Sequence, residues 1–556
     1  MKSLVKSWKR FEKILENNFF LIIGITCCNI IPFRLKVFFL DTDSDWKIKI
    51  LKTGYRFIEF FLVILLLCFA LSFIKEKIVT MVLKIFFIIS LLLFAIEISL
   101  FKLFSIIISP ELVQILLETN KNEAFEFFSV YFKKKYILYL FMFTIIIYFI
   151  YVSLKYLTPI MFKYIIKRKV ARVLIGLLLI LKIFNLNFNN KINFSLYRLL
   201  SSINMGLITI KEYKEIDNMK NNIEIIKQKD NKKNIVLIIG ESTSRNHMSL
   251  YGYKLDTNPL LKKLEKEGNL YKFTDTISPH CQTIPSIRKV LTFYNLESKN
   301  KWNENNNIID VMNVAGYNTY WFSNQSFSGF YDNIATALGT RSKTVVFNSM
   351  DSTIKRAYDE EIIRKSEKYV LNNNDNNFII YHLIGTHMRY EDRYPKSFSK
   401  FQNKNSLITE YNKNSIIAKY DNAILYNDYI INKIIDIFKD KESIVIYISD
   451  HGEEVYDFGN FVGHVESRAN KYMVEIPFLI YVSNTFKVKY PKIVEKIEKS
   501  VNKPYMTDDL IHTILDIAEI ETKEYDKTRS IINNNFNSKR KRIYSGKEYD
   551  TYRKNN

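Results

Sequence analysis

The chain has 556 residues, a formal net charge of +23 and 48% hydrophobic residues, most densely in its amino-terminal third. This length and unevenness exclude one ordinary domain and call for two bodies, a membrane-embedded one and a soluble one. Lys and Asn are scattered, and no basic helix with base-stacking aromatics stands out, so the charge argues against nucleic acid and for a surface beside anionic lipid headgroups. Cys281 is the only cysteine of the soluble part, so no disulfide forms within it.

Apolar segments long enough for, or close to, a membrane crossing run from Phe19 to Pro32 or somewhat beyond, Phe57 to Ile74, Ile78 to Phe101, Tyr136 to Leu157 and Val170 to Leu186. The first is short, and a cleaved signal peptide is its alternative, although no small-residue cleavage site follows it. With about five spans, the basic amino terminus, the turn Lys75-Glu76-Lys77 and the loop with Lys163, Lys167, Arg168 and Lys169 fall on one side, which the positive-inside rule makes the cytoplasm. The chain after Leu186 then emerges on the opposite face, in a bacterium the periplasmic face of the inner membrane. Lys84, Arg172 and Lys182 near span ends snorkel, while Glu59 is a functional candidate.

Pro110 to Phe128 and the helical repeat Leu196 to Ile210 read as segments lying at the membrane surface, and Lys211 to Lys233 as a charged, Asn-rich linker. The expected domains are therefore 1–186, a transmembrane domain; 187–231, an interfacial helix and linker; and 232–556, a soluble domain.

In the last domain, short apolar runs read as strands at Ile235 to Ile239, Tyr317 to Phe322, Phe378 to Leu383, Ser443 to Ile448 and Phe478 to Val482. Helical patterns intervene at Asp256 to Lys266, Glu361 to Leu371 and Tyr426 to Phe438. The fold class is thus an α-helical transmembrane domain followed by an α/β domain with a mostly parallel central sheet.

Open α/β sheets bind ligands outside the carboxyl ends of their strands, and several of these strands end in chemistry-bearing residues. Asp450 and His451 end one and Glu241 another, an oxygen-rich set with one imidazole that suits zinc or manganese. His387 and His464 read as substrate-facing or supporting residues. Three protein ligands leave a fourth tetrahedral position, and Thr283 stands just at the start of the helical pattern Ser286 to Phe293, with Pro285 where proline is tolerated. A hydroxyl there sits in the positive field of a helix amino terminus, and a divalent metal would make it an alkoxide nucleophile. Cys281, Ser242 and Thr243 are rivals for that role.

Taken in order, NIVLIIGESTSRNHMSLYGY, SPHCQTIPS, WFSNQ, GTH, SDHGEE and GHVESRANKYMVEIPFLIY resemble the phosphoethanolamine transferases of the alkaline phosphatase and sulfatase superfamily. The resemblance covers nearly the whole chain, including the apolar amino-terminal third and LVQILLETNKNEAFEFF. It implies a periplasmic domain with zinc held by Glu241, Thr283, Asp450 and His451, Thr283 as the nucleophile, and His387 and His464 around the transferred phosphate. Asn324 corresponds to the headgroup-binding loop. The implied reaction moves phosphoethanolamine from phosphatidylethanolamine to lipopolysaccharide core, lipid A or another envelope acceptor, through a phosphoethanolamine-threonine intermediate. One departure concerns the soluble domain, where lipid A-modifying members usually carry several disulfides; their absence moves the acceptor toward core sugars or other targets. A phosphoglycerol transferase or sulfatase-type hydrolase on the same core, and a non-enzymatic membrane sensor, are the alternatives.

Overall fold

A computed structural model describes residues 2–40, 45–110, 112–113, 116, 194–216, 222–229, 233–325, 334–348, 357–370, 376–402 and 408–555. The described residues fall into two bodies, one of residues up to 116 together with 194–208, the other from residue 209 onward. The expected spans Tyr136 to Leu157 and Val170 to Leu186, and most of Pro110 to Phe128, lie outside the described residues.

The first body contains helices α1 (Lys2–Leu40), α2 (Trp46–Ala70) and α3 (Glu76–Phe104), with part of α4 (Ser195–Ile216). In this body Lys6–Phe39, Trp46–Phe73 and Glu76–Phe104 reach mean hydropathies of 1.7, 2.3 and 2.7, and by length and composition each can cross a membrane. The first span is thus not short: its helix continues through Pro32 and past both expected ends. Glu59 pairs with Arg56 at 2.5 Å on the same helix. A second intramembrane acid escaped the sequence reading. Glu97 of α3 is fully buried and takes both Nη2–H bonds of Arg198 in α4, at 2.6 and 2.7 Å, which neutralises a charge that hydrocarbon would penalise heavily.

The second body is built on a seven-stranded sheet. Its strands are β2 (Asn234–Gly240), β3 (Leu270–Phe273), β4 (Asn318–Ser323), β5 (Thr344–Phe347), β6 (Asn377–His382), β7 (Ser443–Ser449) and β10 (Phe478–Val482), in the order β3-β10-β7-β2-β6-β4-β5. The five strands from β7 to β5 are mutually parallel, whereas β10 runs antiparallel to both β7 and β3. Alternate residues of each central strand feed opposite cores. Ile235, Leu237, Ile239, Ile444, Ile446 and Ile448 pack on one face, with Ile287 and Val290 of α6 (Thr283–Leu291). Val236, Ile238, Ile379, Tyr381, Val445 and Tyr447 pack on the other, with Ile362 of α7 (Asp359–Val370) and Ile430 and Ile434 of α8 (Ile408–Phe438). Burial on both faces is why these strands read as continuous apolar runs.

Most differences from the expected elements of this body are shifts of a residue or two; some are larger, and α6 starts at Thr283, three residues before the expected Ser286. Helix α5 (Pro259–Lys266) starts three residues later than expected, because Pro259 occupies its first turn where a missing N–H costs nothing. Helix α8 starts at Ile408 rather than Tyr426. Its first half buries polar side chains that bond to loops, Asp421 to Tyr253, Asn422 to the Lys400 and Phe401 N–H groups, so the apolar periodicity is masked there. Within the stretch expected as linker, β1 (Ile225–Gln228) pairs antiparallel with β11 (Ile520–Thr522).

Candidate active site

Four adjacent parallel strands, β7, β2, β6 and β4, end at one edge of the sheet. Asp450 and His451 follow β7, Glu241 follows β2, His387 lies in the loop after β6, and Asn324 and Gln325 follow β4. Two backbone features let these loops meet. Ser242 adopts φ +57°, a left-handed turn that brings its N–H to Asp450 Oδ1 at 3.1 Å and its hydroxyl to Glu241 Oε1 at 2.8 Å. Gly385 adopts φ +50° so close to Glu241 that a Cβ would lie 2.8 Å from the Glu241 nitrogen.

Glu241, Asp450 and His451 are all essentially buried, and one donor atom from each lies within 4.8 Å of the others. The Thr283 hydroxyl, in the first turn of α6, lies 3.3 and 3.4 Å from the Glu241 carboxylate oxygens and 3.3 Å from His451 Nε2. His451 Nδ1 faces the Gly452 carbonyl at 2.7 Å; donating there turns Nε2 toward the carboxylates, where it carries a proton in the metal-free protein and would offer its lone pair to a metal that displaces that proton. Asp450 Oδ2 is buried with no hydrogen-bond partner and lies 3.4 Å from His451 Nε2. Burial and the charge of Glu241 push the Asp450 carboxyl up to about 8. Burial also opposes the Glu241 charge, but the His451 hydrogen bond and the nearby charges of His451, His387 and His464 hold its pKa well below the ordinary value. Two buried carboxylates, one with an orphaned oxygen, an imidazole nitrogen and a hydroxyl around one point form a donor set that fits zinc.

His464 stands beside this group, its ring centroid 4.1 Å from that of His451, with Nδ1 held by Glu453 Oε2 at 2.6 Å. Tyr390 donates to the other Glu453 oxygen at 2.6 Å. Sequence reasoning gave Glu453 no role, although an acidic pair directly after Asp450-His451-Gly452 was in view. His387 is half-buried in the β6 loop, and Arg393 grips that loop through the His387 and Met388 carbonyls.

Asn324 is buried, and its amide is spent within the fold on the Ala357 carbonyl, Asp359 and Asn348. Asp359 in turn accepts the Ile384 and Gly385 N–H groups, so Asn324 helps to set the β6 loop. Its neighbour Gln325 reaches the centre instead, donating to Glu241 Oε2 at 3.2 Å. The rival nucleophiles are also placed. Cys281 is fully buried and donates to Glu466, and burial with the Glu466 charge pushes its thiol well above the usual range. Thr243 bonds to the Glu241 carbonyl and Thr386, away from the carboxylate centre.

A model of the sulfatase family matches residues 233–520. Phosphoethanolamine transferase EptC of Escherichia coli strain K12 is 32% identical over 307 residues, 54% of this chain and 53% of its own. Phosphoethanolamine transferase EptA of Helicobacter pylori is 27% identical over 295 residues, 50% of this chain and 52% of its own. The chain spans about half the length of the curated relatives it matches. Among solved structures, the C-terminal periplasmic domain of EptC from E. coli in complex with zinc is similar with a TM-score of 0.55 and 31% identity, covering 59% of this chain and 96% of that one. The integral membrane lipooligosaccharide phosphoethanolamine transferase A of Neisseria meningitidis shares the fold along 92% of this chain and 97% of its own, with a TM-score of 0.63 and 20% identity.

Proposed function

Starting from the fact that this chain belongs to the sulfatase family, we propose that it is a zinc-dependent phosphoethanolamine transferase acting on a cell-envelope acceptor, lipopolysaccharide core or lipid A. The observation that carries this reading is the convergence of the Thr283 hydroxyl on Glu241 and His451 at the amino terminus of α6. Glu241, Asp450, His451 and Thr283 would hold the metal. When bound, zinc supplies Lewis-acid chemistry: it lowers the pKa of a coordinated hydroxyl and offsets charge on phosphoryl oxygens.

The rest falls to the chain. Thr283 Oγ1 attacks the phosphorus of phosphatidylethanolamine, the bond to the glycerol oxygen breaks, and diacylglycerol leaves with a proton, giving phosphoethanolamine-threonine. An acceptor hydroxyl or phosphate then attacks that phosphorus and frees Thr283. Glu453 takes the His464 Nδ1–H bond and orients the ring; as an imidazolium the ring can then protonate the leaving oxygen through Nε2–H or bond to phosphoryl oxygens. His387 is proposed for the same phosphate and Gln325 for orienting Glu241, with Asn324 setting the loop that carries His387. By the distribution of Lys and Arg, the protein is a multi-pass component of a bacterial inner membrane with this domain in the periplasm. The buried, protonated Cys281 thiol speaks against a sulfatase-type cysteine nucleophile. The test is mass spectrometry of the purified protein incubated with phosphatidylethanolamine. A phosphoethanolamine adduct on Thr283 supports the reading, and an adduct elsewhere or none refutes it.

A further inference from the structure

His247 lies six residues after Glu241 and is 2% exposed. Its two ring nitrogens are both engaged: Nδ1 with Asp421 Oδ1 of α8 at 2.7 Å, and Nε2 with Asp457 Oδ1 at 3.1 Å. Tyr253 donates to the second oxygen of Asp421 at 3.0 Å, and the ring of Tyr420 packs edge-on against the imidazole. Asp457 belongs to the turn joining β8 (Glu454–Val455) to β9 (Val462–Gly463), the residue after which is His464. Its other oxygen accepts the Val455 N–H at 2.9 Å, which ties the turn to its own strand.

A hairpin of two residues per strand cannot hold its position by pairing alone. Beyond Tyr456–Phe461 the turn is largely exposed, with the Phe458 side chain in solvent. The hairpin nevertheless has to deliver His464 to within 2.6 Å of Glu453 and beside His451. We propose that His247 is a positioning residue that anchors this hairpin through Asp457 and, by doing so, holds His464 against Glu453 and His451. The anchor is charge-assisted on both sides: burial disfavours the imidazolium, but the bonds to Asp421 and Asp457 outweigh it and push its pKa up to about 9. An imidazolium bridges two carboxylates where an amide side chain, with one donor group, satisfies only one of them well. The hairpin is fastened separately by Asn470 to Glu454 and by Arg468 over the Phe461 ring, and at the exposed surface of the turn by Lys413 of α8 to Asn460. Loss of His247 therefore loosens the hairpin rather than freeing it.

This inference deepens the transferase reading, because it concerns the supply of His464 to that site. The test uses the full chain in detergent micelles with two readouts, hydrogen exchange of residues 454–464 and hydrolysis of bis(4-nitrophenyl) phosphate. His247→Gln and Asp457→Asn are expected to speed exchange of those amides in the metal-free and the zinc-loaded protein alike. Each should lower kcat by about 10- to 100-fold, the range for losing a residue that orients a reacting group, with KM and zinc content little changed. In a His464→Ala background, His247→Gln should lower kcat by less than about twofold, because the residue through which it acts is gone. Full additivity of the two losses, or unchanged exchange in the hairpin, overturns the proposal. If His247→Gln fails to fold, Asp457→Asn, at a partly exposed position, decides by the same criteria. Wild-type protein that cleaves the diester but moves nothing from phosphatidylethanolamine refutes the transferase reading and leaves the exchange and coupling results to decide this one.

Discussion

Thr283 Oγ1 and His451 Nε2 lie 3.3 Å apart, although 168 residues separate them in the chain. Thr283 enters from the start of α6 and His451 from the end of β7, so the pair is assembled by the sheet edge. Thr283→Ala is expected to lower phosphoethanolamine transfer by on the order of 10³-fold or more, since the group that forms the covalent bond is removed. Thr283→Ser restores a hydroxyl at the same atom and should recover much of the rate. Zinc content should stay near that of the wild type in both, as the three stronger ligands remain. Transfer by Thr283→Ala at a wild-type rate would remove Thr283 from the mechanism.

The fold tolerates the Asp450 charge poorly without a cation, since the carboxylate is buried beside Glu241 with one oxygen that has no hydrogen-bond partner. Asp450→Asn should therefore lose zinc while leaving the metal-free protein as stable as the wild type or more so. The Asn oxygen can still accept the Ser242 and His451 N–H groups that Asp450 Oδ1 accepts. Thermal melts with and without excess zinc check this. The wild type should gain about 2.7 kcal/mol at a zinc concentration 100 times Kd, and the variant should gain nothing. An equal zinc-induced shift in both proteins would show that Asp450 is not a ligand.

Gly385→Ala joins two costs at one atom. The left-handed backbone disfavours any side chain, and the new methyl would meet the Glu241 nitrogen at 2.8 Å and its carbonyl oxygen at 2.9 Å. Neither is the mobile end of a side chain, so Glu241 has to shift. The expected outcome is a destabilisation of about 1–3 kcal/mol together with a weaker zinc affinity, measured by chelator competition. Loss of stability with unchanged affinity would mean that the β6 loop gives way instead of Glu241.

What could be read from the sequence was set by whether a residue's partners lie close by in the pattern. Asp450-His451 and Glu241 each follow an apolar run, and Thr283 precedes a helical one, so strand ends and a helix start marked them. Gln325 and Glu453 carry no such mark, since their partners Glu241 and His464 come from another strand or from beyond a turn. Asn324 was matched by position in its motif, while the amide that reaches the centre belongs to the next residue. The first half of α8 was hidden because its buried face is partly polar, with Asp421 bonded to Tyr253 and Asn422 to the Lys400 and Phe401 N–H groups. In α3, Glu97 stood inside an apolar run with nothing to announce that Arg198 answers it.

Orientation in the membrane follows from Lys and Arg in the short loops and is open to direct measurement. A reporter that is active only after export, joined after Lys233, should give signal, and one joined at Lys167 should not. The reverse pattern would place the candidate site in the cytoplasm and separate it from an outer-face acceptor.

His512, in α9 (Leu510–Ala518), offers a test of the catalytic body that does not touch the metal site. It is 3% exposed, accepts the Asp526 N–H at 3.1 Å through Nδ1, and packs against Phe293. Burial first, then the charges of Arg529 and Arg540, push its pKa down from 6.5 to about 3. Above pH 6.5 the imidazole is neutral in both the folded and the unfolded chain, and it adds no pH dependence. Between 6.5 and about 3 the unfolded chain binds a proton that the folded one refuses, so stability falls as the pH falls. The slope approaches about 1.4 kcal/mol per pH unit once the unfolded imidazole is fully protonated. His512→Asn keeps an acceptor for the Asp526 N–H and removes the proton. It should cost some stability at pH 8, through lost packing on Phe293, yet flatten the decline between pH 6.5 and 4.5. Tryptophan-detected urea unfolding of the protein at a series of pH values measures both effects. An unchanged slope would mean that the folded protein accepts the proton, and hence that water reaches His512.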